Sequence, residues 1–118
     1  MVTSALFVGW GALIPGREEA GGAVLQESMS YLQALREGGR IDGFEAVALA
    51  PHGGDLAGFV MVKGDRDAIT QLRGSEEFRR ITTRMQRVHQ HVGEVEAFVG
   101  PELLRYFALW DEPLEEQA

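Results

Sequence analysis

Short runs that carry apolar bulk on both faces constrain this chain more than any other feature. Ala5 to Val8, Phe44 to Leu49, Gly58 to Val62 and, only in part, Val95 to Val99 read as strands. Successive side chains alternate across a sheet, so Phe59 and Met61 point one way while Val60 and Val62 point the other. The chain's own helices can cover one face of such a sheet. The other face needs a second cover, and another copy of the same chain is the simplest one. The pattern therefore predicts a homodimer joined through sheet faces, and Val60→Asp is expected to split it if Val60 faces the partner.

Helical periods separate the strands. From about Arg17 to Glu37, Leu25, Met29, Leu32 and Leu35 form one stripe, with Ala20, Val24 and Tyr31 beside it, until Gly38-Gly39 stops the helix. Ala50-Pro51-His52-Gly53-Gly54-Asp55 is made of turn-forming residues, which turns Phe44 to Met61 into an antiparallel hairpin. Asp65 is placed to cap a short helix from Arg66 to Leu72. Ser75 caps the next, whose core stripe is Phe78, Ile81, Met85 and Val88. In the last strand Glu94 and Glu96 share one face and Val95, Ala97 and Val99 the other, a mark of an edge strand. Gly100-Pro101-Glu102 then opens a final helix striped by Leu103, Tyr106, Phe107 and Trp110. That stripe must be buried somewhere, since each such side chain gains roughly 1.5–3 kcal/mol on burial.

The order of elements gives an α+β, ferredoxin-like βαββαβ fold with a four-stranded antiparallel sheet and an extra C-terminal helix. Right-handed crossovers put the helices on one face. The first and third strands, the most uniformly apolar, belong at the centre. Residues 1–110 read as one domain and 111–118 as an acidic flexible tail. A chain of 118 residues supports one layered core. With no cysteine, disulfides, thiolate-bound zinc and thiol nucleophiles are excluded. The N-terminal apolar run is too short for a membrane span and has no basic segment before it, so a cytoplasmic location fits. A net charge of −7 argues against nucleic acid as a partner. Charge is uneven, however: Arg66 to His91 carries six arginines against Asp67, Glu76 and Glu77, a balance of +3 that leaves −10 elsewhere.

The element order, the two-faced sheet, the aromatic strand end at Trp10 and the Gly58-Phe59 strand after a Gly-rich hairpin resemble the dimeric α+β barrel superfamily. The resemblance runs from Ser4 to Val99. Trp10 to Glu18 and Pro51 to Asp55 look like its uncharacterised bacterial branch. It implies two sheets packed face to face in a homodimer, and it admits cofactor-independent monooxygenases, lactone isomerases, degradative enzymes and haem proteins. No family catalytic motif transfers residue by residue, and fold alone does not choose among these activities.

Candidate residues are therefore read from their own chemistry. His52 sits in a loop with Asp55 near enough in sequence to orient an imidazole, the arrangement of a general base; a plain turn is the competing reading. Trp10 at a strand end can line a cleft, Arg17 near a helix start can meet a carboxylate, and Tyr31 lies beside the core stripe; these are candidate ligand-binding residues. Arg80, Arg84 and Arg87 share a helical face that can collect an anion or meet acidic groups. His89 and His91 have no metal-ligand spacing, so no metal or cofactor is expected. Three readings stay open: a homodimer that binds or transforms a small aromatic or carboxylated metabolite in a cleft between sheet and helices, a non-catalytic dimerisation module, and a haem or metal protein.

Overall fold

The computed structural model describes residues 2–114. Its elements are β1 (Ser4–Trp10), α1 (Glu18–Glu37), β2 (Gly43–Ala48), β3 (Gly58–Gly64), α2 (Arg66–Gly74), α3 (Glu76–Gln86), β4 (Gly93–Ala97) and α4 (Pro101–Trp110). The second helical region is divided because Ser75 is extended, at φ −78° and ψ 146°, and serves both neighbours. Its hydroxyl donates to the Leu72 carbonyl at 2.9 Å and accepts from the Phe78 amide at 3.2 Å. Asp65 caps α2 as its sequence position suggested, accepting from the Ala68 amide at 2.8 Å. The last residues of the acidic tail, 115–118, lie outside the described residues.

The sheet runs β2-β3-β1-β4 with every pair antiparallel, so the two most apolar strands are central. Leu6 and Val8 of β1 and Val60 and Val62 of β3 point into one core with Val24, Leu32, Ile69, Leu72, Phe78, Met85 and Val88. Val60, only 4% exposed, thus faces the helices and not a partner. An aspartate there strikes the core, and Val60→Asp tests folding instead of assembly. The side chains between them, Phe7, Phe59 and Met61, lie on the open face, where the Phe7 and Phe59 rings stand 5.2 Å apart.

Two patterns differ from the sequence expectation. The buried line of α1 is Gly21, Val24, Ser28 and Leu32, and Leu25 is exposed. A serine is tolerated in that line because its hydroxyl donates to the Val24 carbonyl at 2.8 Å. Strand β2 is apolar on both faces only in sequence: as an edge it leaves Glu45, Ala46 and Ala48 exposed. On β4, Glu94 and Glu96 meet Arg73 and Arg66 at 3.3 and 3.9 Å. The carboxylates therefore dock the edge strand to α2, and Val95 and Ala97 extend the open face.

The fourth helix departs furthest from expectation, since none of its residues is buried. Phe98 stacks on Tyr106 at 4.3 Å, and Tyr106 meets Trp110 edge-on at 6.2 Å, but the rest of the apolar surface stands in solvent. Among the described residues no helix is long and apolar enough to cross a membrane.

Candidate functional site

The seam between α1 and α3 opens into an apolar cleft over the helix-facing side of β1 and β3. Val8, Trp10, Val24, Tyr31, Val60 and His89 are among its walls, and its cavity is about 30 Å³. That is room for a water or two. Anything larger enters only as α1 and α3 part. At the seam, Met29 supplies a flexible side chain, and Arg84 of α3 grips Glu27 of α1 at 2.8 Å. An ion pair exposed to this extent contributes on the order of 0.2–1 kcal/mol, which is a weak clasp.

The chemistry of the cleft lies in two rings at its end. Trp10, the last residue of β1, pairs with Gly58 of β3. Only a residue without a side chain fits there: a Cβ on Gly58 would stand 2.7 Å from the indole. His89 lies beyond the end of α3, its ring centroid 6.0 Å from that of Trp10. Its Nδ1 is 3.0 Å from the Gly11 carbonyl oxygen. A carbonyl only accepts, so Nδ1 carries the proton and donates. The tautomer is thereby set, and in the neutral ring Nε2 holds a free lone pair.

The backbone around His89 is clamped. The Gly11 amide donates to the Gln90 carbonyl at 2.7 Å, the Gln90 amide to Ala12 at 2.9 Å and the Ile14 amide to Val88 at 2.8 Å. Other polar side chains of the cleft are spent locally: Ser28 on Val24, and Thr82 on the Arg79 carbonyl at 3.1 Å. Among the described residues, the Nε2 of His89 and the Nε1–H of Trp10 have no protein partner. An apolar slot thus ends in one acceptor and one donor.

Of the residues singled out in the sequence, Trp10 and Tyr31 meet at this cleft. Arg17 is the exposed residue preceding α1 and borders no part of it. His52 is exposed in the β2–β3 loop; its Nδ1 approaches the Ala50 carbonyl at 3.0 Å, and Asp55 does not hold it. In the arginine face, Arg80 is paired with Glu76 and Arg84 with Glu27. No three His, Asp or Glu side chains gather as a metal site among the described residues. His89 is the residue that sequence reading missed. Its spacing from His91 offered no metal-ligand pattern, and it lies past the end of α3 at Gln86.

Tyr31 also borders a second, more polar cavity of about 220 Å³, which Arg40, Gln71, Ser75 and Glu77 line. Its hydroxyl lies 3.5 Å from that of Ser75. Tyr31 is thus the shared wall between an apolar slot and a polar chamber.

A dabb family protein with a ferredoxin-like fold from Mesorhizobium loti aligns at TM-score 0.63 and 16% identity, over 82% of this chain and 97% of that one. The chain has the ferredoxin-like fold. A dimeric protein of unknown function from Bacteroides fragilis shares this ferredoxin-like fold, at TM-score 0.59 and 11% identity over 81% of this chain and 96% of that one. SnoaB, a cofactor-independent oxygenase from Streptomyces nogalater, aligns at TM-score 0.52 and 15% identity, over 86% of this chain and 97% of that one. The resemblance to dimeric α+β barrel proteins therefore holds at the level of fold. No protein-family model and no curated protein matches the sequence.

Proposed function

We propose that this protein is a homodimer joined through its open sheet faces, and that each copy binds a small aromatic metabolite in the α1–α3 cleft and moves a proton on it through His89. The observation that carries the reading is the His89 imidazole: its donor side is fixed on Gly11, and its lone pair is unspent at the end of an apolar slot. Such a group takes a proton from a ring hydroxyl or an acidic ring carbon, and the Gly11 carbonyl steadies the imidazolium that results. The Trp10 N–H is available to a ligand oxygen. A cofactor-independent oxygenase on the same fold supports chemistry done with the protein's own groups.

The test uses 2-naphthol and the Trp110→Phe protein, in which Trp10 is the sole tryptophan of the two in the chain. Naphthol is expected to quench Trp10 saturably, and Ile81→Phe, which narrows the slot, to abolish the quenching. Deuterium uptake at the naphthol ring carbon beside the hydroxyl should be accelerated by the protein and not by His89→Ala. Absence of saturable quenching removes the ligand reading. Binding with equal exchange in both proteins removes the proton role and leaves a non-catalytic module.

A carboxylated ligand extends the same reading. Lying across Tyr31, it puts its carboxylate in the polar chamber beside Arg40. Charge-assisted hydrogen bonds contribute about 1.5–3 kcal/mol, so Arg40→Met should weaken 6-hydroxy-2-naphthoate about tenfold and leave 2-naphthol unchanged by calorimetry. Equal affinities in the two proteins would separate the chamber from the cleft.

A further inference from the structure

We infer that α4 is an arm of the dimer that packs against the second copy, an inference that rests on the sheet-face assembly proposed above. Leu104, Phe107, Leu109 and Trp110 are 71, 53, 63 and 72% exposed. No described residue of their own chain buries them, since α4 has no buried residue. A chain of this length with ordinary compactness has a radius of gyration of about 13.5 Å. This one measures 16.6 Å, with a long dimension of 57 Å.

Area identifies the occupant. Four strands about 4.8 Å apart, each about six residues long at ~3.3 Å per residue, make an open face of roughly 400 Å² in plan. A stable dimer hides about 800 Å² per partner. Aromatic side chains bury about 150–250 Å² each, so the exposed side chains of α4 offer roughly 400 Å² more. Each surface alone is too small, and the two together reach the usual size. They are also joined in the chain: β4, whose Val95 lies on the open face and is 57% exposed, leads through Phe98 directly into α4. Only Phe98, Val99 and Gly100 separate the two elements, and Phe98 anchors the helix by its stack on Tyr106. A second copy seated on the sheet face therefore lies within reach of the arm.

The experiment is sedimentation of the full chain against Leu104→Glu/Phe107→Glu, two changes at exposed positions that leave the core intact. Self-association should weaken at least ~10-fold, the usual cost of losing interface anchors. In parallel, Trp10→Phe leaves Trp110 as the only tryptophan, and its emission should shift to the blue with the same concentration midpoint as dimerisation. An unchanged dimerisation constant in the double variant overturns the arm and leaves the sheet-face dimer standing. A Trp110 that stays solvent-exposed in the dimer does the same. Trp110 already shielded in a dilute monomer shows that α4 folds over its own chain, and also overturns it. A wild-type protein that stays monomeric removes both the arm and the assembly on which it rests.

Discussion

Met61→Glu should yield a folded monomer. Met61 stands on the open side of the central strand β3, opposite Phe7 on β1 and Glu45 on β2. In a face-to-face dimer this position is near the middle of the contact. A carboxylate enclosed there without a partner costs about 3–5 kcal/mol, and the twofold relation applies that cost in both copies. The dissociation constant of the dimer should rise by at least ~100-fold, seen by sedimentation at micromolar concentration. Far-ultraviolet circular dichroism should be unchanged, because the side chain is only half-buried in the single chain. Val60→Asp, one residue away, should unfold the protein. A Met61→Glu protein that dimerises like the parent would rule out the sheet face as the interface.

Gly11→Ala is expected to cost about 2–3 kcal/mol, or roughly 10 °C in Tm for a domain of this size. A Cβ at Gly11 would lie 2.8 Å from the Gln90 carbonyl oxygen and 2.9 Å from that of Asp55. Both obstacles are backbone, so neither can rotate away. The displacement would also break the Gly11 amide bond to Gln90 and move the carbonyl that holds His89. Gly22→Ala supplies the contrast: the added carbon meets nothing within 4 Å on an exposed helical surface. There the change should stabilise by about 0.5–1 kcal/mol. Thermal melts that fail to separate the two substitutions would contradict the clamp around His89.

How far the structure could be read in advance depended on whether the signal was local. Element order, the central pair of strands and the caps at Asp65 and Ser75 follow from alternation and from side chains that bond to adjacent amides, and they were legible. The line of burial on α1 was off by one position because Ser28 hides its polarity in a bond to its own helix. The exposure along β2 went unmarked, although its edge place was legible, because alanine and valine are neutral about exposure. Trp10 and Tyr31, singled out in the sequence as ligand candidates, both border the cleft. His89 was not singled out as one, since its value comes from the Gly11 carbonyl, 78 positions away in the chain. His52 drew attention through its neighbour Asp55, but proximity in sequence does not aim a side chain, and Ala50 took the bond.

The two central strands keep separate records of two properties. Along β1 the even positions Leu6, Val8 and Trp10 face the helices, while Phe7 lies on the open face; β3 repeats the division with Val60 and Val62 against Phe59, Met61 and Lys63. A substitution at an even position is therefore felt by the cleft, and one at an odd position by the surface offered to a neighbour. Cleft and assembly can mutate almost independently on the same few residues, until an insertion or deletion within a strand shifts its register by one and exchanges the two roles at once.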